Sequence, residues 1–533
     1  VTLRLKDIEV PINQNTDPDL ALSDRVAAAL EVSTELIRGI HIRKKSLDAR
    51  RKARIVYHYQ VDVDLEDELQ VYQRNRERAD IAPVDVVADP LAGLELGNIR
   101  DNVRHKPLII GSGPAGTFAA LVLAQAGIPA IVIERGEAVE QRFRTINRFR
   151  RDGAFTAESN YCFGEGGAGT FSDGKLSCGR NHPLIRYLFQ KWVEYGGPKE
   201  ILYDAHPHIG TDKLMFIAKS MRRSLEDRGI EFMFKRQFLG FETGTTSKYR
   251  VHLSGNETLD TDHVILAVGH SARDTYQMLF ERGFAMAPKP FAIGARIEHP
   301  QEAINKIQFG NCQVLPAAEY KLTAQSGNRG IWTFCMCPGG HLLPTSAQPG
   351  HLAINGMSYH ARKSGFANAA VVVNVNRDDF YRDHVLDGMH FQEELERRAY
   401  EAGGGGYISP AQRLTDFLGG RLSKSNLIST YKPGISSARL DKILPAFVVD
   451  SLKVALGEYN KRMRGYIQDD GVVVGVESKT SSPVVMTRSD KFQSVSHPGI
   501  FPSGEGAGFA GGIVSAALDG VRVGRSVVED ILS

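Results

Sequence analysis

Leu108-Ile109-Ile110 runs directly into Gly111-Ser112-Gly113-Pro114-Ala115-Gly116, and no other stretch constrains the fold as strongly. The apolar triplet reads as a short buried strand, Gly113 to Ala126 as a helix rich in small residues, and Ala130 to Ile133 as a second strand. That order opens a parallel sheet with a crossover helix, so the expected fold class is α/β. Glu134 ends the second strand, 23 residues after Gly111. Gly111 permits a tight turn, Gly113 lets a diphosphate approach the backbone, and Gly116 lets helix and strand pack closely. The helix N-terminus offers unpaired N–H groups and a positive dipole end to the phosphates. Glu134 is suited to accept hydrogen bonds from both ribose hydroxyls, with Pro114, Ala115 and Arg135 beside the same ligand. The spacing predicts a dinucleotide site without separating NAD from FAD.

At 533 residues the chain is too long for one ordinary core, and two or three domains are expected. Lys and Arg number 65 against 62 Asp and Glu, so the net charge of +3 gives no global pull toward nucleic acid or an anionic membrane. Cys162, Cys178, Cys312, Cys335 and Cys337 are too sparse for a secreted disulfide scaffold, and no spacing suits a zinc site. No metal is expected. The chain opens without a basic-then-apolar signal, and its longest apolar stretch, Phe118 to Ile133, is broken by Gln125, Gly127 and Pro129. A cytoplasmic protein without a membrane span is the expectation.

Residues 1–100 read as a small α+β domain. Leu3, Leu5, Ile8 and Val10 suggest a strand, Asp24 to Leu36 a helix, and the alternation from Ile55 to Leu65 a half-buried strand. Between them, Arg43, Lys44, Lys45, Arg50, Arg51, Lys52 and Arg54 read as a solvated loop face, neutralised by Asp62, Asp64 and their acidic neighbours. A polar linker carries Pro83 and Pro90. Residues 104–274 form the first part of the nucleotide-binding domain, with further strands around Ile230 to Phe234, Tyr249 to Leu253 and His263 to Val268. Residues 275–490 are less regular and are assigned to a mixed α+β cap over the substrate. Residues 491–533 return to the nucleotide-binding domain through a Gly-rich turn and an apolar helix.

Two later segments resemble FAD-binding elements. Asp262-His263-Val264-Ile265-Leu266-Ala267-Val268-Gly269 is similar to the strand-to-glycine segment of two-dinucleotide-fold flavoproteins. Gly499 to Ile513, including Gly504-Glu505-Gly506 and Gly511-Gly512-Ile513, resembles their second FAD motif, with Glu505 where many relatives carry Asp. Phe163 to Leu176 is similar to the glycine run that lies along the isoalloxazine in bacterial FAD-dependent dehydrogenase-like proteins. Thr333 to Gly340, Asn355 to Ser358 and Pro410 to Arg413 add to the likeness. Residues 104–533 thus resemble that family, whose substrates are mostly unassigned, within the glutathione-reductase-type fold clan. The resemblance implies a Rossmann-like FAD domain with an inserted cap. It implies FAD contacts from Gly166, Gly167, Ala168, Gly169, Lys175, Phe238, Gly269, Gly504, Glu505, Gly511, Gly512 and Ile513, and one arginine, Arg142, near the diphosphate.

The chemistry is less defined. Cys335 and Cys337 invite a redox reading, and His341 is a nearby candidate proton donor. No second dinucleotide fingerprint exists, so a substrate reduces the flavin directly or NAD(P)H docks transiently. The expected activity is hydride or electron transfer between FAD and a small organic molecule. Alternatives are an RNA-associated flavoprotein using the basic N-terminal domain, or a flavin-binding protein without turnover. Substrate, electron partner and oligomeric state stay open.

Overall fold

Strand Leu108–Ile110 is central because all three of its side chains are buried, so neighbours must cover both its faces. The computed structural model describes residues 2–12, 18–19, 21–84, 103–179, 182–312, 314–424 and 426–533. Within it, five strands form one sheet in the order Ile500–Pro502, Val264–Leu266, Leu108–Ile110, Ala130–Glu134, Ile230–Phe234. Every pair is parallel. Helix Pro114–Gln125 crosses from the central strand to its neighbour, with Pro114 at its first turn where a missing N–H costs nothing. Helix Ile513–Leu532 packs across it through Ala516, Gly520 and Gly524. The small three-stranded antiparallel sheet of Phe238–Thr243, Tyr249–Leu253 and Glu257–Thr261 follows the fifth strand.

Between Leu266 and Ile500 the chain builds a seven-stranded sheet. Its order is Thr323–Ser326, Arg329–Cys337, Phe366–Val375, Phe291–Pro300, Val472–Glu477, Ser409–Arg413, Ile435–Ser437. Pairing is antiparallel except at the last pair. The irregular composition expected of this region therefore conceals its largest sheet. Strand Phe366–Val375 is buried along nearly its whole length and shows no apolar–polar alternation. Strand Phe291–Pro300 carries buried Arg296, Glu298 and His299, which break an apolar reading.

The first 84 residues form a four-stranded antiparallel sheet, Ile37–Asp48, Val56–Leu65, Leu3–Pro11, Ile81–Pro83, with helix Leu22–Leu30 against it. Two expectations need correction here. The helix ends at Leu30, where Glu31 adopts a left-handed conformation (φ 56°), and does not continue to Leu36. Arg43, Lys44 and Lys45 lie on strand Ile37–Asp48, not in a loop. Two bulges on that strand shift its register and erase the period-two signal. Arg43 and Arg4 pair with buried Asp62, and Lys45 with Asp19. Lys45 also ties this sheet to the nucleotide-binding part, its N–H donating to the Tyr203 carbonyl while its carbonyl accepts from the Ala205 N–H. The linker with Pro90 lies outside the described residues.

Gly520 is where the two long helices come closest. A Cβ there would stand 2.8 Å from the Ala115 carbonyl carbon and 2.9 Å from its Cα. Gly520→Val should therefore lower the midpoint of thermal unfolding, with a cost of about 1–3 kcal/mol from overpacking. An unchanged midpoint would contradict this helix contact.

Candidate functional site

Ligands of open α/β sheets bind beyond the carboxyl ends of the strands, where connections diverge to either side. Here that point lies past Ile110 and Leu266, between the turn starting at Gly111 and the segment Ala267-Val268-Gly269. Gly111 has φ +105°, and a Cβ there would collide with the Ala267 carbonyl, so only glycine fits. Gly113 and Gly167 meet backbone to backbone, the Gly167 Cβ position falling 3.1 Å from the Gly113 Cα.

Glu134 fixes this meeting. Its Oε2 accepts from the Ser112 N–H (3.1 Å) and Oγ (2.8 Å), and its Oε1 from the N–H groups of Gly136 and Gly164 (2.9 Å each). A carboxylate has about four acceptor sites, and protein donors occupy all four. Glu134, expected to accept from the ribose, in this structure braces the glycine turn against the glycine run. Arg142 does the complementary work. Its fully buried guanidinium donates to the carbonyls of Asn160, Gly164, Glu165 and Gly167 at 2.7–3.1 Å. It gathers the run from the inside and does not face the ligand space as expected.

These elements enclose a cavity of about 1000 Å³. Gly111, Gly113, Pro114, Ala115, Glu134, Arg135, Gly167, Ala168, Gly169, Lys175, Phe238, Gly269, Glu505, Gly511, Gly512 and Ile513 all line it, as does Cys335. Gly116, Arg142, Gly166, Gly504, Cys337 and His341 do not. Gly116 packs against Ile109, and Gly166 donates its N–H to the Ser112 carbonyl. Gly504 turns with φ +74° and donates to Asp519, which also holds Arg488. Cys337 is fully buried. His341 has an unpartnered buried Nδ1, and burial, with Arg150 and Lys432 nearby, pushes its pKa down to about 4. It is neutral at neutral pH and off the cavity wall, which removes it as an acid there.

Several wall residues were missed. Lys479, nearly buried, sits with Nζ 3.6 Å from the Cys162 sulfur and 3.4 Å from Ser271 Oγ. Its signal was the polar run Glu477 to Ser482 directly after the five apolar positions 472–476. His270 places Nδ1 3.2 Å from Glu505, and its buried Nε2 has no partner. Lys175, which was expected at the site, bonds to Asp173 at 3.0 Å, and that carboxylate keeps the ammonium charged against the pull of burial. At the far end, Lys321, Trp332, Phe334 and Asn355 come from the seven-stranded sheet and its surroundings. Arg296, fully buried, bonds to Glu477 (2.7 Å), Asn368 (2.6 Å), Asn355 (2.5 Å) and the Cys335 carbonyl (3.1 Å), which holds this end in place. Away from the cavity, His384, Asp387 and His390 bring ligand atoms within 4.8 Å of one another, a cation-compatible group that the cysteine and histidine spacings did not suggest.

Residues 104–147 match the FAD binding domain family, and residues 290–480 match the family described as FAD-dependent protein, C-terminal domain-like. Residues 3–64 match a domain of unknown function (DUF8436). The protein binds FAD, and both FAD-linked segments contribute residues to the cavity wall. An uncharacterized protein of Clostridium beijerinckii is 39% identical over 529 residues, covering 97% of this chain and 98% of that one. The chain belongs to the family of that protein. Among solved structures, the flavin-dependent halogenase CmlS is similar over 80% of this chain and 58% of its own, at 13% identity and a TM-score of 0.37. Halogenase PltM in complex with phloroglucinol and FAD is similar over 80% and 70%, at 11% identity and a TM-score of 0.38.

The residues present fit the cofactor. The volume stands at the upper end of the roughly 300–1,000 Å³ of small-molecule sites. Gly269, Gly511 and Gly512 line the cavity with nothing within 4 Å of their Cβ positions, leaving room that any side chain would fill. The N-terminus of helix Ile513–Leu532 opens into the same space and supplies unpaired N–H groups.

The neutral imidazole of His341 gives a pH prediction. Between about pH 4 and 6.5 the unfolded chain binds a proton here that the folded chain does not. Stability therefore falls as pH drops through that window. His341→Gln should lessen the loss of urea midpoint between neutral pH and pH near 5; an unaltered pH dependence would contradict the assignment.

Proposed function

We propose that the protein is a FAD-dependent oxidoreductase, a dehydrogenase or reductase that moves hydride or electrons between FAD and a small organic molecule. The observation that carries this reading is the convergence of three glycine-bearing segments, Gly111–Ala115, Gly167–Gly169 and Gly511–Gly512, on one cavity. Bound FAD supplies two-electron chemistry. The chain's own residues do the rest. The first turn of helix Pro114–Gln125 and the backbone of Gly113 and Gly167 would hold the diphosphate. Gly511, Gly512 and the N-terminus of helix Ile513–Leu532 would face the ring, where a positive dipole end favours the charge that arrives on reduction. Lys175, held protonated by Asp173, adds a second positive group to the same region.

Residues 275–490 act in this reading as the cap, and the wall of Lys321, Trp332, Phe334, Cys335 and Asn355 receives the substrate. We assign the nucleotide-binding part to the glutathione-reductase-type clan and the protein to the cytoplasm, with NAD(P)H as a transient donor. No helix among the described residues is long and apolar enough to cross a membrane. The ion pairs of Arg43 and Lys45 occupy charges that a nucleic-acid-binding role for the N-terminal domain would need.

Gly113 has φ −71°, open to any residue, and its Cβ position has only the Gly167 Cα, at 3.8 Å, within 4 Å. Gly113→Leu therefore fills the diphosphate cradle without straining the turn. Wild-type protein should purify with stoichiometric FAD that dithionite bleaches. The variant should keep its circular dichroism yet bind FAD at least about tenfold more weakly, a loss of ~1.4 kcal/mol. Undiminished FAD binding would overturn this placement.

A further inference from the structure

Cys335 and Cys337 occupy the one irregular turn of strand Arg329–Cys337. Residues two apart on a regular strand share a face but stand ~6.5 Å apart along it, too far for easy contact between sulfurs. Here the register against strand Phe366–Val375 slips between Phe334 and Cys337, three steps on one strand facing two on the other. Cys335 takes a left-handed backbone (φ 45°), uncommon for a side-chain-bearing residue and frequent at functional sites. The bulge draws the residues together. Cys337 Sγ lies 3.2 Å from the Cys335 carbonyl oxygen and donates its S–H to it, so the buried sulfur reaches back to residue 335.

The two sulfurs have unequal surroundings. Cys335 is partly accessible and lines the cavity; Cys337 is fully buried behind it. Glycines crowd Cys337: a Cβ at Gly340 would lie 2.8 Å from its Cβ, and one at Gly356 would lie 3.0 Å from its Sγ. Cys337 is thus closed off from the cavity, and a reagent there meets Cys335 first. Positive charge is gathered at Cys335, with Arg296 donating to its carbonyl and Lys175 in the same wall. The neighbouring Cys337, with Arg296 and Lys175, holds the Cys335 thiol below its usual range, while Cys337 is raised. This asymmetry of exposure and charge matches an attacking and a resolving thiol.

We propose that Cys335 and Cys337 form a dithiol–disulfide couple in the cavity wall, with Cys335 attacking a small-molecule disulfide and Cys337 resolving the product. The Cys335 thiolate attacks one sulfur of the substrate disulfide, that S–S bond breaks, and one substrate thiolate leaves. A mixed disulfide remains on Cys335. Cys337 gives its proton to the departed thiolate, and its sulfur attacks the Cys335 sulfur. The second substrate thiolate leaves and takes a proton from solvent, balancing the one Cys335 lost on ionising. The substrate gains two electrons and two protons; the protein pair loses the same and closes to a disulfide. The inference deepens the oxidoreductase reading by naming disulfides as a substrate class. It rests on that reading only for the two electrons that reset the pair.

The test is a reaction of the full-length, FAD-containing protein with limiting 4,4′-dithiodipyridine, followed by peptide mass mapping. Two thiopyridones should be released per modified chain, and the Cys335–Cys337 peptide should lose two hydrogens and retain no pyridyl group. Cys337→Ser should release one thiopyridone and keep the pyridyl adduct on Cys335. Cys335→Ser should leave Cys337 unmodified. A stable pyridyl adduct on wild-type Cys335, or a pair that stays reduced while Cys162 or Cys178 reacts, would overturn the proposal. Flavin absorbance of the same sample reports separately: its absence would defeat the oxidoreductase reading, whatever the cysteines do.

Discussion

Four donors converge on one buried carboxylate, that of Glu134, and the rest of the site follows from this arrangement. The carboxylate ties the turn at Ser112 to its own strand's exit at Gly136 and to the start of the glycine run at Gly164. A buried donor stripped of its partner costs ~1–3 kcal/mol. Four of them rival the ~5–15 kcal/mol by which a folded protein is stable. The glycine turn and the glycine run are therefore locked to each other before any ligand arrives. Arg142 holds the other side of the run through four carbonyls. One anion and one cation, both buried, shape a loop whose glycines have no side chains with which to shape themselves.

A second hub stands at the opposite end of the cavity. Arg296 reaches Glu477, Asn368, Asn355 and the Cys335 carbonyl, joining four strands of the seven-stranded sheet, its own included, to the strand that carries Asn355. The guanidinium has a partner at each of its three nitrogens, while Glu477 Oε1 and Asn368 Nδ2 are buried without one, so the hub is costly to bury as well as restrictive. Here it fixes the bulge that turns Cys335 toward the cavity. The nucleotide end and the sheet end thus use the same device, a buried ion whose bonds run mainly to groups that must not move.

The nucleotide end was legible in the sequence because its constraints are local. Gly111, Gly113 and Gly116 answer to backbone demands within one turn, and Leu108–Ile110 is too short and apolar to be read as anything but a buried strand. Gly111, Gly113, Pro114, Ala115, Glu134 and Arg135 line the cavity for this reason, and ten more lining residues were named by family resemblance. The bracing done by Glu134 and Arg142 left no mark in the sequence because Gly164, which both hold, lies 30 and 22 residues from them and makes no pattern with either. The seven-stranded sheet was hidden by doubly buried strands without alternation and by the charges of its hub. Lys479 and His270 owe their position to contacts across the fold, which no spacing rule reports. Strand Ile37–Asp48 was lost to its two bulges and its cationic outward face.

The central claim is that FAD lies along the line from Gly113 to Gly512, braced by Glu134 and Arg142. A crystal structure of the FAD-containing protein tests it most directly. The account predicts diphosphate density against the N–H groups of the helix starting at Pro114 and ring density beside Gly511 and Gly512, with the Glu134 carboxylate still holding Ser112 and Gly164. Diphosphate density elsewhere, or a ring bound outside this cavity, would contradict it.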